Sequence, residues 1–464
     1  MTTLAFPPGF LWGTATSAYQ IEGATAEGGR QPSIWDTFCQ VDGAIAGAED
    51  GKAGVDHYHR HAEDVALMAG LGLNTYRFSV CWPRVMDGDR VNPTGMDFYS
   101  RLVDELLEAG ITPWLTLYHW DLPASLPGGW TSRATAERFV DYALAVHDRL
   151  GDRVRHWTTL NEPWCSSFLS YAGGEHAPGH TDPAEAVRAV HHLLLAHGQA
   201  TAALRDRDAA ATLGITLNFT PAIAASSDPA DVDVVRRING TANRMFVHPL
   251  FTGQYPADVV ADLGQWWTAD LVRDGDLAAI ATPIDVLGVN YYTTAAYRAA
   301  APGESVTPPV VRGRQMATPH ITAPEAIGVG RGLPTTDMGW DIDPAGLEEL
   351  LGWLHREYTG PAGTALVITE NGAACPDDTI VEGRVDDQDR IAYVRDHLAA
   401  VHAAMAAGAD VRGYLLWSLI DNFEWAFGYD KRFGIVAVDA ALNRTPKASA
   451  LWYESVARTG TLER

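Results

Sequence analysis

Eight short runs rich in Val, Ile, Leu, Tyr and Thr, set apart by longer stretches of helical periodicity, constrain this chain more tightly than any other feature. They fall at residues 10–17, 74–80, 113–119, 156–160, 212–219, 286–291, 365–369 and 413–419, each bounded by turn-forming residues. Between them apolar side chains recur three and four apart, as in Ile391, Val394, Leu398, Val401 and Met405 with Gly408 as the cap, and earlier in Leu102, Leu106 and Ala109. Mostly apolar strands call for a sheet covered on both faces. Eight βα units in succession therefore predict an α/β chain closed into a single (β/α)8 TIM barrel domain over residues 1–464, with long βα loops forming its mouth. A two-domain doubly wound sheet is the competing arrangement, disfavoured because no GxGxxG follows the first run and no Pro/Gly/Ser-rich linker divides the chain. Residues 300–336, polar and without periodicity, read as a long loop between the sixth and seventh strands, either shaping a ligand site or merely tolerated there.

Composition narrows the partners. Asp and Glu number 58 against 34 Lys and Arg, a net charge of −24, so the field around the protein repels phosphate backbones and anionic membrane surfaces. Neither nucleic acid nor a membrane is expected as a partner. Residues 1–10 lack a basic start followed by an apolar run, and no stretch of about 18 apolar residues occurs, which reads as a soluble cytoplasmic protein. Cys39, Cys81, Cys165 and Cys375 form no CxxC pair and have no companion His at zinc-finger spacing, so they read as free thiols, with one disulfide left open. His57, His59 and His61 alternate at the start of a helical segment and do not share a face there, and no metal or organic cofactor is expected. The 15 Trp residues fit flat apolar ligands such as sugar rings or, equally, a large core.

Two segments share one layout, a β-like run ending in a carboxylate beside an amide: Trp157-Thr-Thr-Leu-Asn161-Glu162-Pro163 and Leu366-Val-Ile-Thr-Glu370-Asn371-Gly372. In a closed parallel barrel all strand C-termini open on one face, so the fourth and seventh strands would each deliver a Glu to the mouth. Paired carboxylates across such a cup are the machinery of glycoside hydrolysis. A single strand-end Glu is more often a solvated surface group; two matching ones after apolar strands, where ionisation is costly without partners, point to a site.

The sequence also resembles glycoside hydrolase family 1, the β-glucosidases and their relatives, nearly end to end. The resemblance rests on Phe10-Leu-Trp-Gly-Thr-Ala-Thr-Ser-Ala-Tyr-Gln20-Ile-Glu-Gly23, Tyr118-His119-Trp120, TLNEP around Glu162, NYY at Asn290 to Tyr292, ITENG around Glu370, and Trp417-Ser-Leu-Ile-Asp-Asn-Phe-Glu424-Trp425. It implies that Glu370 is a nucleophile and Glu162 a general acid/base in a retaining β-glycosidase, with Arg77 and the Tyr292 hydroxyl keeping Glu370 ionised. It further implies that Gln20, His119, Asn161, Glu424 and Trp425 contact sugar hydroxyls while Trp417 stacks under the ring, with Trp120 also among the substrate-binding residues. Trp164 and Trp340 would line the leaving-group side, and Asn218 would be a further polar contact. The partner would be a small β-glycoside or oligosaccharide, with cellulose-derived sugars among the candidates.

Within this resemblance, relatives acting on 6-phosphorylated sugars carry Ser where Glu424 stands, and thioglucosidases carry Gln where Glu162 stands, so neutral O-glycosides are expected. A non-catalytic sugar-binding protein on the same barrel would be expected to have lost a carboxylate. A transglycosylase would use the same residues and is separated only by its products.

Overall fold

The computed structural model describes residues 3–463; Met1, Thr2 and Arg464, and with them part of the N-terminal stretch read above, lie outside the described residues. Eight parallel strands close into a barrel: β1 (Leu11–Ala15), β2 (Thr75–Ser79), β3 (Thr112–Tyr118), β4 (His156–Asn161), β5 (Thr212–Phe219), β6 (Val286–Tyr291), β7 (Ala365–Asn371) and β8 (Val411–Trp417). They follow chain order around the ring, with β8 paired back onto β1. All eight expected runs are present. The doubly wound alternative is excluded by closure, since an open sheet would leave two unpaired edges.

The connections carry the expected helices, chiefly α1 (His57–Gly70), α2 (Pro93–Glu108), α3 (Ala134–Leu150), α4 (Pro183–Arg207), α5 (Pro229–Asn239), α6 (Met245–Thr252), α7 (Pro344–Leu354) and α8 (Gln388–Ala406), followed by α9 (Ala448–Thr459) after β8. Asp-Pro pairs start three of them: Asp182, Asp228 and Asp343 each accept a hydrogen bond from a first-turn backbone N–H, while the proline next to each gives up no intrahelical bond. At the other end of α8, Gly408 takes φ of 107°, a conformation that favours glycine. Ala109, read as part of the apolar stripe of α2, instead caps the helix just past Glu108 and is exposed.

Leu11, Trp114, Val286, Val367 and Leu415 form one apolar cluster drawn from β1, β3, β6, β7 and β8. Strands on opposite sides of the ring can share a cluster only inside it, so the barrel is a packed core beneath its mouth. Trp114 keeps its indole N–H satisfied there by donating to the Thr158 hydroxyl at 2.8 Å. The strand pairing slips where site residues are carried: β6 shifts register against β7 between Val289 and Asn290, setting Asn290 opposite Glu370, and β4 shifts against β5 between Thr158 and Asn161. Such irregularities re-aim side chains at a barrel rim.

Residues 300–336 are more ordered than expected of a bare loop. Val310–Val311 pairs with Arg314–Gln315, and Ala326–Val329 adds antiparallel to Ala295–Ala299, a pairing short enough to escape any periodicity test. Arg314 donates to the Gly174 carbonyl at 2.8 Å, and Arg312 to that of Ala44 at 2.9 Å, so the segment is tied to two other loops. The three alternating histidines serve separate carboxylates: His57 meets Asp64, His59 meets Asp56 and Glu27, and His61 meets Glu105. All four cysteines are buried free thiols. Among the described residues no helix is long and apolar enough to cross a membrane, and no three His, Cys, Asp or Glu side chains are grouped to hold a metal.

Candidate active site

β7 runs unbroken through Glu370 and Asn371, so Glu370 is a buried strand residue at the mouth. From β2, Arg77 Nη1 donates to Glu370 Oε1 at 2.6 Å, and just past β6 the Tyr292 hydroxyl donates to Oε2 at 2.7 Å. Arg77, itself fully buried, also donates through Nη2 to Asn161 Oδ1 at 2.6 Å. Asn290 on β6 donates from Nδ2 to that same Oδ1 at 3.1 Å and to Glu162 Oε1 at 2.7 Å. One hydrogen-bonded path thus runs from Glu370 through Arg77, Asn161 and Asn290 to Glu162.

The path also orients its members. Arg77 has only donors, so Asn161 must show it an oxygen, which turns the Asn161 NH2 toward His119 Nε2 at 3.0 Å. His119 accepts there and so carries its proton on Nδ1, an atom buried without a protein partner. Burial, aided by the Arg77 charge, holds His119 far below the ordinary histidine range, so the ring is neutral. The Thr369 hydroxyl donates to Asn290 Oδ1 at 2.7 Å, which commits the Asn290 NH2 to Glu162.

Burial pushes both carboxyls up, and they differ in what opposes it. At Glu370 the Arg77 guanidinium and the Tyr292 hydroxyl pull back. At Glu162 no cation among the described residues makes contact; burial and then the Glu370 charge raise it to about 8, countered by hydrogen bonds from Asn290 and Cys165 and by the more remote Arg77. The proton of this coupled pair therefore rests on Glu162. Half-buried Glu424 is likewise pushed up to about 8, by burial first and then by Glu370 and Glu162.

Gln20, past the end of β1, ties down the segment after β8: its Nε2 donates to Phe423 O at 2.8 Å and Asn422 Oδ1 at 3.0 Å, and lies 3.4 Å from Glu424 Oε2. Trp417, the last residue of β8, lies parallel to His119 at 5.7 Å between ring centroids, and Trp425 packs on Trp120 at 4.5 Å. Trp120, expected among the substrate-binding residues, donates its indole N–H to the Asn161 carbonyl at 3.0 Å, which ties it to the end of β4. Trp340 packs against Tyr292 at 5.6 Å, and Trp164 stands half-buried beside His320. Asn218 is next to Asn290 in the β5–β6 register but outside the hydrogen-bond network.

Glu162, Trp120 and Trp425 hold φ of 49°, 80° and 49°, left-handed backbone that non-glycine residues rarely adopt. Strain of this kind is retained where a side chain must be aimed. Gly372 has a different constraint: a Cβ there would lie 1.8 Å from the Trp417 carbonyl oxygen, so the close approach of β7 and β8 requires a glycine after Glu370-Asn371.

The family model for glycosyl hydrolase family 1 matches residues 2–461, a span containing every residue of the candidate site. The chain belongs to that family. A thermostable β-glucosidase B of Thermobispora bispora is 50% identical over 467 residues, covering 99% of this chain and 92% of the relative. A bifunctional β-D-glucosidase/β-D-fucosidase of Bifidobacterium breve is 48% identical over 470 residues, covering 97% and 98%. Among solved structures, the psychrophilic β-glucosidase of Micrococcus antarcticus superimposes with a TM-score of 0.94 at 49% identity, covering 98% of both chains. For this family 1 member, sequence reasoning missed Asn290 and Cys165 as partners of Glu162. Asn290 was legible only as part of the NYY run, valued for Tyr292. Cys165 had as its one signal a position three residues after Glu162, one helical turn away.

Proposed function

We propose that the chain is a retaining β-glucosidase, with side activity on β-galactosides and β-fucosides, in which Glu370 is the nucleophile and Glu162 the acid/base. The observation that carries this reading is the unequal company of the two carboxyls. Glu370 is gripped by Arg77 and Tyr292, as an anion requires, and Glu162, with no cation in contact, keeps a proton. In the first step a Glu370 oxygen attacks the anomeric carbon, the glycosidic C–O bond breaks, and the Glu162 proton goes to the departing oxygen. The glycosyl ester neutralises Glu370, which removes the charge that raised Glu162. Glu162 then ionises and takes a proton from the water that attacks the anomeric carbon, and the sugar leaves with its original configuration.

The neutral His119, with its unpartnered Nδ1–H, supplies a donor for a sugar hydroxyl, and Asn161, Gln20, Glu424 and Trp425 complete the polar wall over Trp417. The glucosidase and fucosidase named among the relatives support a site tolerant at the 4- and 6-positions. The four buried free thiols support a reducing, cytoplasmic setting. Retention is tested by NMR of the first-formed sugar from an aryl β-glucoside: the β-anomer is expected, and initial release of the α-anomer overturns the mechanism. That outcome would place the carboxyls about 6.5–9.5 Å apart, against about 5–5.5 Å for retention.

A further inference from the structure

We propose that Cys165 is a positioning residue for the acid/base, its thiol donating a hydrogen bond to Glu162 that sets how readily this carboxyl gives up and regains its proton. The proposal rests on the reading of Glu162 as acid/base. Cys165 follows Glu162 by three residues in the helical turn that leaves β4, and its Sγ lies 3.1 Å from Oε2. The other carboxyl oxygen is already committed, because Oε1 accepts from Asn290, whose amide is fixed by Thr369. A carboxyl oxygen that accepts an amide N–H is the carbonyl-like one, so the transferable proton belongs on Oε2, beside the sulfur. The S–H can donate to Oε2 in both protonation states, and does so more strongly once the oxygen is charged. Burial and the Glu162 charge push the thiol well up, which keeps the donor protonated.

The charged and titratable groups facing Glu162 from the neighbouring elements are Arg77 on β2, Tyr292 after β6, Glu370 on β7 and Glu424 after β8; Glu175 faces Cys165 itself. Among the described residues, only Cys165 and Asn290 donate to the Glu162 carboxyl.

The test compares wild type with Cys165→Ala and Cys165→Ser, reading the basic limb of kcat/KM and the dependence on leaving group. Loss of the donor in Cys165→Ala should move the basic limb to higher pH by about half to one unit, and Cys165→Ser should move it back. A poor leaving group should lose several-fold in kcat/KM near neutral pH, while a dinitrophenyl glucoside, which needs no proton, should be unchanged. A Cys165→Ala variant with the parent basic limb, or one that slows both substrates alike with Ser giving no rescue, would overturn the proposal as a packing effect only. Glu162→Gln separates the two readings: a basic limb that persists there with a poor leaving group refutes Glu162 as the acid, whatever Cys165 does. Thermal melts of each variant confirm that folded proteins are compared.

Discussion

Tyr292→Phe removes one oxygen atom and leaves the ring that packs on Trp340 and Phe433 in place. The deleted hydroxyl donates at 2.7 Å to Glu370 Oε2. It is a donor throughout the working range, because burial and the Glu370 charge push the phenol well up. A hydrogen bond to a charged group contributes about 1.5–3 kcal/mol. Arg77 still holds Oε1 in the variant, and half-buried Tyr292 leaves room for water to take part of the vacated role, so about 1.4 kcal/mol is the expected loss, equal to one pKa unit. The direction follows from what the hydroxyl does. Burial raises Glu370 and Tyr292 opposes the rise, so without it Glu370 holds its proton to higher pH and the acidic limb of kcat/KM moves up by about one unit. On the acidic side of the optimum, activity on p-nitrophenyl β-glucoside should fall about tenfold, with a smaller loss on the plateau. A full pH profile of a variant that melts like wild type decides the matter. An acidic limb that stays put, or moves to lower pH, refutes the idea that Tyr292 keeps the nucleophile ionised.

Glu370→Ala should abolish turnover of every substrate, whereas Glu162→Ala should still show a burst with dinitrophenyl glucoside, which needs no proton for its leaving group; equal loss in both would contradict the division of roles. Glu162 sits at about 8 and acts protonated, so wild-type kcat/KM should fall as pH rises through about 8, and a profile flat well beyond that value would remove Glu162 as the acid. Gly372→Ala places a Cβ 1.8 Å from the Trp417 carbonyl oxygen, so it should cost at least tenfold in activity and lower the melting temperature, an expectation that a wild-type-like variant would contradict. Glu424→Ser should weaken the neutral glucoside and galactoside and relax discrimination against glucoside 6-phosphate, as compared by kcat/KM; comparable wild-type efficiency on the phosphorylated sugar would refute the role given to Glu424.

What could be read from the sequence followed the strength of its local signals. The strands were legible because barrel strands buried on both faces are nearly all apolar, and Glu162 and Glu370 because a carboxylate closing such a run contradicts its surroundings. Asn290 looked like one more polar residue at a strand end; its role depends on a register shift against β7 and on the Thr369 hydroxyl turning its amide, and neither leaves a mark in composition. Trp120 was read as substrate-binding from its motif, and neither its φ of 80° nor the bond from its N–H to the Asn161 carbonyl was legible there. The segment at 300–336 lacked periodicity because its strands are only two to four residues long, below the length at which alternation can be recognised.

These local facts combine into one statement about charge. Three carboxyls, Glu162, Glu370 and Glu424, face one guanidinium, Arg77, and each is pushed up mainly by burial. The group that touches the cation is the one that ionises, so near neutral pH the cup holds Glu370 as its anion beside Arg77, with protons on Glu162 and Glu424. A carboxyl pushed up to about 8 could donate to a sugar oxygen as well as accept from a hydroxyl, and the proposed tolerance of either 4-hydroxyl configuration rests on that. Among the described residues a 6-phosphate would meet no cation beside Glu424, because Gln20 is the one side chain donating to that carboxyl and the Arg77 Nη atoms are spent on Glu370 and Asn161. The phosphate would lose its water without a counter-charge and would drive Glu424 to keep its proton. Exclusion of anionic sugars is therefore expected from the missing cation together with the Glu424 carboxyl, which cannot ionise beside a phosphate. On the proposed reading, the same scarcity of positive charge leaves a proton on Glu162 for the leaving group.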